Sequence, residues 1–116
     1  MDAKTLIAKA LEQREQWIDL GGGKRVKMRR PAAAEMFSFG RATTPDTFLR
    51  TIVGWDGFTE ADILGGAVGS DAAVKFDLEL WLVLALDNVE WMGVVSEAVV
   101  DAIKAYLEQR ETATKN

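Results

Sequence analysis

Between stretches whose apolar residues recur with helical spacing, the chain contains an alternation that suits a β-ribbon. Trp17-Ile18-Asp19-Leu20 leads into Gly21-Gly22-Gly23 and then Lys24-Arg25-Val26-Lys27-Met28-Arg29. Ile18 and Leu20 share one face of an extended strand, and Val26 and Met28 alternate with cations on the next. Consecutive glycines supply the positive φ angles that a tight or bulged hairpin turn requires. This hairpin, at about 15–30, is the only convincing strand pair. The expected fold is therefore α+β and mostly α, with the hairpin packed on a bundle of three to four helices.

The helical segments follow from periodicity and punctuation. Leu6, Ile7, Ala10 and Leu11 make an apolar stripe on a short amphipathic helix over 2–13. Arg30-Pro31 ends the ribbon and opens a second helix that stops near Gly40. Thr44-Pro45 repeats the device, as N-cap and first helical residue, before a segment in which Phe48, Leu49, Ile52 and Val53 share a helical face. Residues 54–74 read as loop-rich. Within them Thr59-Glu60-Ala61-Asp62 resembles a capping box, and Gly65–Ser70 reads as flexible. Asp77 is the expected N-cap of a nearly all-apolar helix reaching about Asp87, a helix that belongs in the core or at an interface. The last and longest helix spans about Val89 to Arg110, with Met92, Val95, Val99, Ala102, Ile103 and Tyr106 as its buried stripe. A single domain over 1–110 and a flexible tail over 111–116 follow.

Composition narrows the chemistry. The 116 residues include no Cys and no His, which excludes disulfides, thiolate nucleophiles, imidazole bases and the commonest transition-metal ligand. Nothing assembles a nucleophile with a base, so no catalytic residue, cofactor or metal is expected. Asp56, Glu60 and Asp62 do not follow the spacing of a calcium loop. Neither glycine cluster matches a phosphate-binding motif. The longest apolar run, Leu80–Leu86, is too short to span a membrane, and the N-terminus lacks a signal-peptide layout. The cytoplasm is the expected compartment.

Charge is unevenly placed. The net charge of −4 argues against a global attraction to nucleic acid. Yet Lys24, Arg25, Lys27, Arg29 and Arg30 form a run without an acid, whereas residues 55–90 hold eight acids against Lys75 alone. Three readings of the basic strand stay open. It could contact phosphates, face solvent as a strand that blunts a sheet edge, or dock on an acidic face of this chain or a partner. Of the four tryptophans, Trp81 belongs to the core, while Trp55 and Trp91 suit an interface.

The order of these pieces resembles the small tail assembly chaperones of long-tailed bacteriophages and of prophage-like elements. The resemblance covers about residues 14–110. It rests on WIDLGGGKRVKMRRPAAAEM, on Val53-Gly54-Trp55-Asp56-Gly57-Phe58, and on Val74-Lys75-Phe76-Asp77 followed by a core helix and a terminal amphipathic helix. It implies a non-enzymatic role in the bacterial host: covering apolar segments of the tape-measure protein and helping to recruit tail-tube subunits. Several copies along one client, and hence homo-oligomers, would be compatible with that role. Lys24, Arg25, Lys27, Arg29, Arg30, Trp55, Phe58 and Trp91 are the candidate partner-binding residues. The helices over Val74–Leu86 and Met92–Leu107 would build the core and any client groove. Two alternatives are a tail or connector structural subunit and a small DNA-binding regulator using the ribbon at 24–30.

Overall fold

The computed structural model describes residues 1–41 and 44–115. Its elements in chain order are α1 (Ala3–Glu12), β1 (Glu15–Gly21), β2 (Lys24–Arg29), α2 (Met36–Gly40), β3 (Ile52–Asp56), α3 (Glu60–Leu64), α4 (Leu78–Leu86) and α5 (Val89–Lys115). Short 3-10 turns at Ala33–Glu35 and Leu49–Thr51 precede α2 and β3. The fold is α+β and mostly α, and its last helix is the longest.

The hairpin forms as its alternation requires. Gly21, Gly22 and Gly23 take φ of +85°, +61° and +77°, so the turn uses all three positive angles. The ribbon is not a lone pair, however. β3 adds antiparallel to β2, and the sheet order is β1-β2-β3. The helical face read into Phe48, Leu49, Ile52 and Val53 is thereby corrected. Residues 45–48 form turns, Leu49–Thr51 a single 3-10 turn, and Ile52 begins a strand. Ile52, Val53 and Trp55 suit the pleat better than a helix, and β2 offers them an open edge. A bulge at Val53 lets Ile52 oppose Met28 while Gly54 opposes Lys27.

One face of the sheet is the floor of the core. Ile18, Val26, Met28 and Ile52 pack there with Leu49, Phe58, Trp81, Leu82, Ala85, Val95 and Val99. Over this floor lie chiefly α4 and α5, while α2 and α3 are only five residues each. Asp77 caps α4 by accepting from the Leu80 amide, and the capping box Thr59/Asp62 starts α3. The stripe on α5 is buried at Val95 and Val99 and half-buried at Met92, Ala102, Ile103 and Tyr106. Beyond it the helix continues through Lys115, carried by good helix formers at Leu107–Glu111. Asn116, the end of the expected tail, lies outside the described residues.

The segment after α3 is not slack. Gly65 caps α3, and its carbonyl accepts from the amides of Val68 and Gly69. The returning chain donates and accepts along residues 58–61: Val74 N to Phe58 O, Glu60 N to Ala72 O and Ala61 N to Ser70 O, all within 3.0 Å. The expected flexible 65–70 segment is instead a hydrogen-bonded strap: Val68 and Gly69 donate to Gly65, and Ser70 accepts from Ala61 at the start of α3.

Candidate interaction surfaces

The basic strand is the centre of the sheet, so it cannot serve to blunt an edge. Arg25, Lys27 and Arg29 alternate with the inward Val26 and Met28, Lys24 lies at the strand's start on the parity of Val26, and each cation finds an internal counterpart. Lys24 Nζ lies 3.0 Å from Asp62, and Arg25 Nε 3.3 Å from Asp56. Arg29 donates twice to Glu15 Oε2, at 3.0 and 2.7 Å, and Lys27 Nζ stands 4.0 Å from the other oxygen of Glu15. Trp17, opposite Lys27 in register, has the Arg25 guanidinium 4.0 Å and the Lys27 ammonium 5.1 Å from its ring centroid. Arg30 differs: its guanidinium stacks 4.2 Å over the Tyr106 ring and donates to the Pro31 carbonyl.

Two of these acids, Asp56 and Asp62, come from the acid-rich part of the chain. Of the three readings of the ribbon, docking on the chain's own acids describes Lys24 and Arg25, and Glu15 from β1 serves Lys27 and Arg29. The Arg25–Asp56 pair, exposed on both sides, is worth about 0–1 kcal/mol, while Glu15 and Lys24 are largely covered in theirs. Asp62 shows the same coupling. The Lys24 ammonium, then the Thr59 amide and hydroxyl, hydrogen-bond its carboxylate and hold it below its ordinary range.

The aromatic candidates meet in one nest. Phe58 stacks on Trp55 with centroids 4.1 Å apart and meets Trp91 and Trp81 edge-on at 5.7 and 6.5 Å. Trp81 and Trp91 lie nearly parallel, 6.0 Å apart. Two indoles have carbonyl acceptors: Trp55 Nε1 to Val74 O at 2.7 Å and Trp81 Nε1 to Leu49 O at 3.0 Å. Phe58 is only 2% exposed, so it is a core residue and not an exposed contact. Trp55 and Trp91 are half-buried in the same nest, packing that accounts for most of their surface. Residues 54–56, read as loop, belong to β3. In the fold the flanking glycines let Asp56-Gly57 turn tightly enough to bring Phe58 inward.

The exposed apolar surface lies elsewhere. Ala33, Ala34, Met36 and Phe37 face Ile103, Tyr106, Leu107 and Arg110 across an open groove of about 510 Å³. Phe37 on its rim is 79% exposed. The α5 wall of this groove matches the expected Met92–Leu107 helix, but the other wall is α2 with its preceding 3-10 turn, not α4. In the sequence, Ala32-Ala33-Ala34 followed by Met36-Phe37 already marks an apolar stretch at this wall. α1 is a second such surface: none of its residues is buried, and Leu6 and Ile7 are 50% and 61% exposed.

Among the described residues no cluster of three or more His, Cys, Asp or Glu could hold a metal ion, and no helix is long and apolar enough to cross a membrane. No protein family, curated protein or solved structure matches this chain.

Proposed function

We propose that the protein is a non-enzymatic tail assembly chaperone that binds and keeps soluble an apolar helical segment of a phage tape-measure protein, and helps recruit tail-tube subunits in the host cytoplasm. The observation that carries this reading is the α2–α5 groove. Its lining is apolar except for Arg110 and the Tyr106 hydroxyl, and it is open to solvent, the kind of surface on which an amphipathic helix buries its apolar face. An apolar helix awaiting assembly aggregates unless covered, and binding that removes it from water shifts it toward the soluble complex. The resemblance noted in the sequence supplies the class of client. The ribbon supports a DNA-binding regulator less well, because the cations of β2 face carboxylates of the same chain.

Co-expression of the full chain with a tape-measure fragment tests this. The fragment is expected in the soluble fraction and in a pull-down. Phe37→Glu and Leu107→Glu should release it without changing the melting temperature of the chaperone. A fragment that stays insoluble and is not retained would sink the proposal. Recovery of the chain as a stoichiometric component of purified particles would favour the structural-subunit alternative.

A further inference from the structure

A second concavity, of about 370 Å³, lies where the end of α1 approaches the 3-10 turn Leu49–Thr51. Arg14, Arg29, Arg30 and Arg50 all line it. Two of the four are already matched by carboxylates, Arg29 by Glu15 at 2.7 Å and Arg50 by Asp46 at 2.6 Å. The other two are not. Arg14 is half-buried, and its side chain has no hydrogen bond or ion pair among the described residues. Arg30 has the Tyr106 ring and a carbonyl, but no carboxylate. Their backbones are joined, since the Arg30 amide donates to the Arg14 carbonyl at 2.8 Å, which sets the two residues side by side at the open end of the hairpin. The one acid on the lining, Glu35, accepts from the Ala32 amide.

We propose that this cleft is a carboxylate-binding site, in which Arg14 and Arg30 receive an acidic side chain of a peptide segment whose adjacent apolar side chain rests on Leu11 and Phe39. Guanidinium groups favour planar, bidentate acceptors, and both matched arginines in the cleft hold carboxylates. The apolar wall gives a peptide something to bury beside its charge. A nucleic-acid backbone would make no use of that wall, and it would meet the carboxylates of Glu15 and Asp46 that already hold Arg29 and Arg50. The site stands apart from the tape-measure reading, and its test uses no tape-measure segment.

The test is titration of the full-length, nitrogen-15-labelled protein, following the arginine Nε–Hε signals. The probes are a short capped peptide with glutamate between two leucines, its glutamine analogue, inorganic phosphate, and a short single-stranded oligonucleotide. The glutamate peptide should shift the Arg14 and Arg30 signals saturably below about 2 mM, and the glutamine analogue should bind roughly tenfold more weakly or worse. Arg14→Gln, whose side chain has no partner to lose, should keep the melting temperature and weaken the peptide by roughly tenfold. Arg30→Gln should weaken it similarly. The proposal is overturned if no probe shifts these signals, if the glutamine peptide or the Arg14→Gln protein binds as well as the reference, or if phosphate or the oligonucleotide binds more tightly than the peptide.

Discussion

The Trp55 indole N–H donates to the Val74 carbonyl at 2.7 Å, joining segments nineteen positions apart in the chain. Val74 in turn donates its amide to the Phe58 carbonyl at 2.9 Å, and Phe76 meets Trp55 edge-on at 5.5 Å. Val53–Phe58 and Val74–Asp77, which stand apart in the sequence, are thus two halves of one packing unit. Their residue types are explained by this mutual fit before any partner is invoked.

Trp55→Phe keeps most of the stacking on Phe58 but removes the donor to Val74. The carbonyl then loses its side-chain partner in a partly buried setting. Chemical denaturation should show a loss of about 1–2 kcal/mol, with an unchanged denaturant slope. A loss within error would mean that water replaces the indole without penalty.

Gly57 has φ of +87°, and a Cβ built there would run into the Gly23 carbonyl at the hairpin tip. Gly57→Ala should therefore cost at least about 2 kcal/mol, from backbone strain plus displacement of the tip. Gly66→Ala is the control, because nothing lies within 4 Å of its Cβ position and its φ is not positive. Thermal melts of the two variants should diverge clearly.

Asp62 titrates below the ordinary carboxylate value of 3.8 in the folded chain, chiefly through its hydrogen bond from Lys24. A lowered folded value means that its contribution is present above that pH and is lost as pH falls through the folded value. Asp46, held down by Arg50, and Asp2, held down by the Thr5 amide, act in the same direction. Melting temperature should fall below about pH 4, and Asp62→Asn should flatten that acid limb while lowering stability near neutrality. An identical acid limb in wild type and variant would count against the Lys24–Asp62 contact.

α1 buries none of its side chains. The double variant Leu6→Ser, Ile7→Ser should consequently change global stability by less than about 0.5 kcal/mol in denaturant melts. A larger loss would show that this stripe packs on something in solution, and its dependence on protein concentration would identify a second copy.

Much of this architecture could be read ahead of the structure, for local reasons. The glycine triplet, the Asp77 cap, the Thr59/Asp62 box and the α5 stripe are all signals confined to a few neighbouring residues. β3 escaped because its evidence is non-local. The bulge at Val53 breaks the alternation that would have marked a strand, and Phe48, Leu49, Ile52 and Val53 happen to satisfy helical spacing as well. Without β3, the partnership of Arg25 with Asp56 could not be foreseen, nor the central position of the basic strand. Phe58 was misplaced for a related reason: glycine on its N-terminal side indicates a turn but not which way the next side chain points. The arginine cleft gathers Arg14, Arg29, Arg30 and Arg50 from separate parts of the chain, so no single window of sequence displays it.

The ladder of paired charges on β2 also governs how the molecule looks from a distance. Cation and anion a few ångströms apart form a multipole, whose field fades far faster than that of a lone charge. The four cations of β2 face three carboxylates, so one positive charge is left over, and salt screens it within about 8 Å under physiological conditions. Among the described residues Asp71, Asp77, Glu79, Asp87 and Glu90 make no ion pair, and neither do Arg14, Arg30 and Lys75. A strip that reads as cationic in the sequence is therefore close to neutral once folded, and the net charge of −4 comes from the rest of the chain.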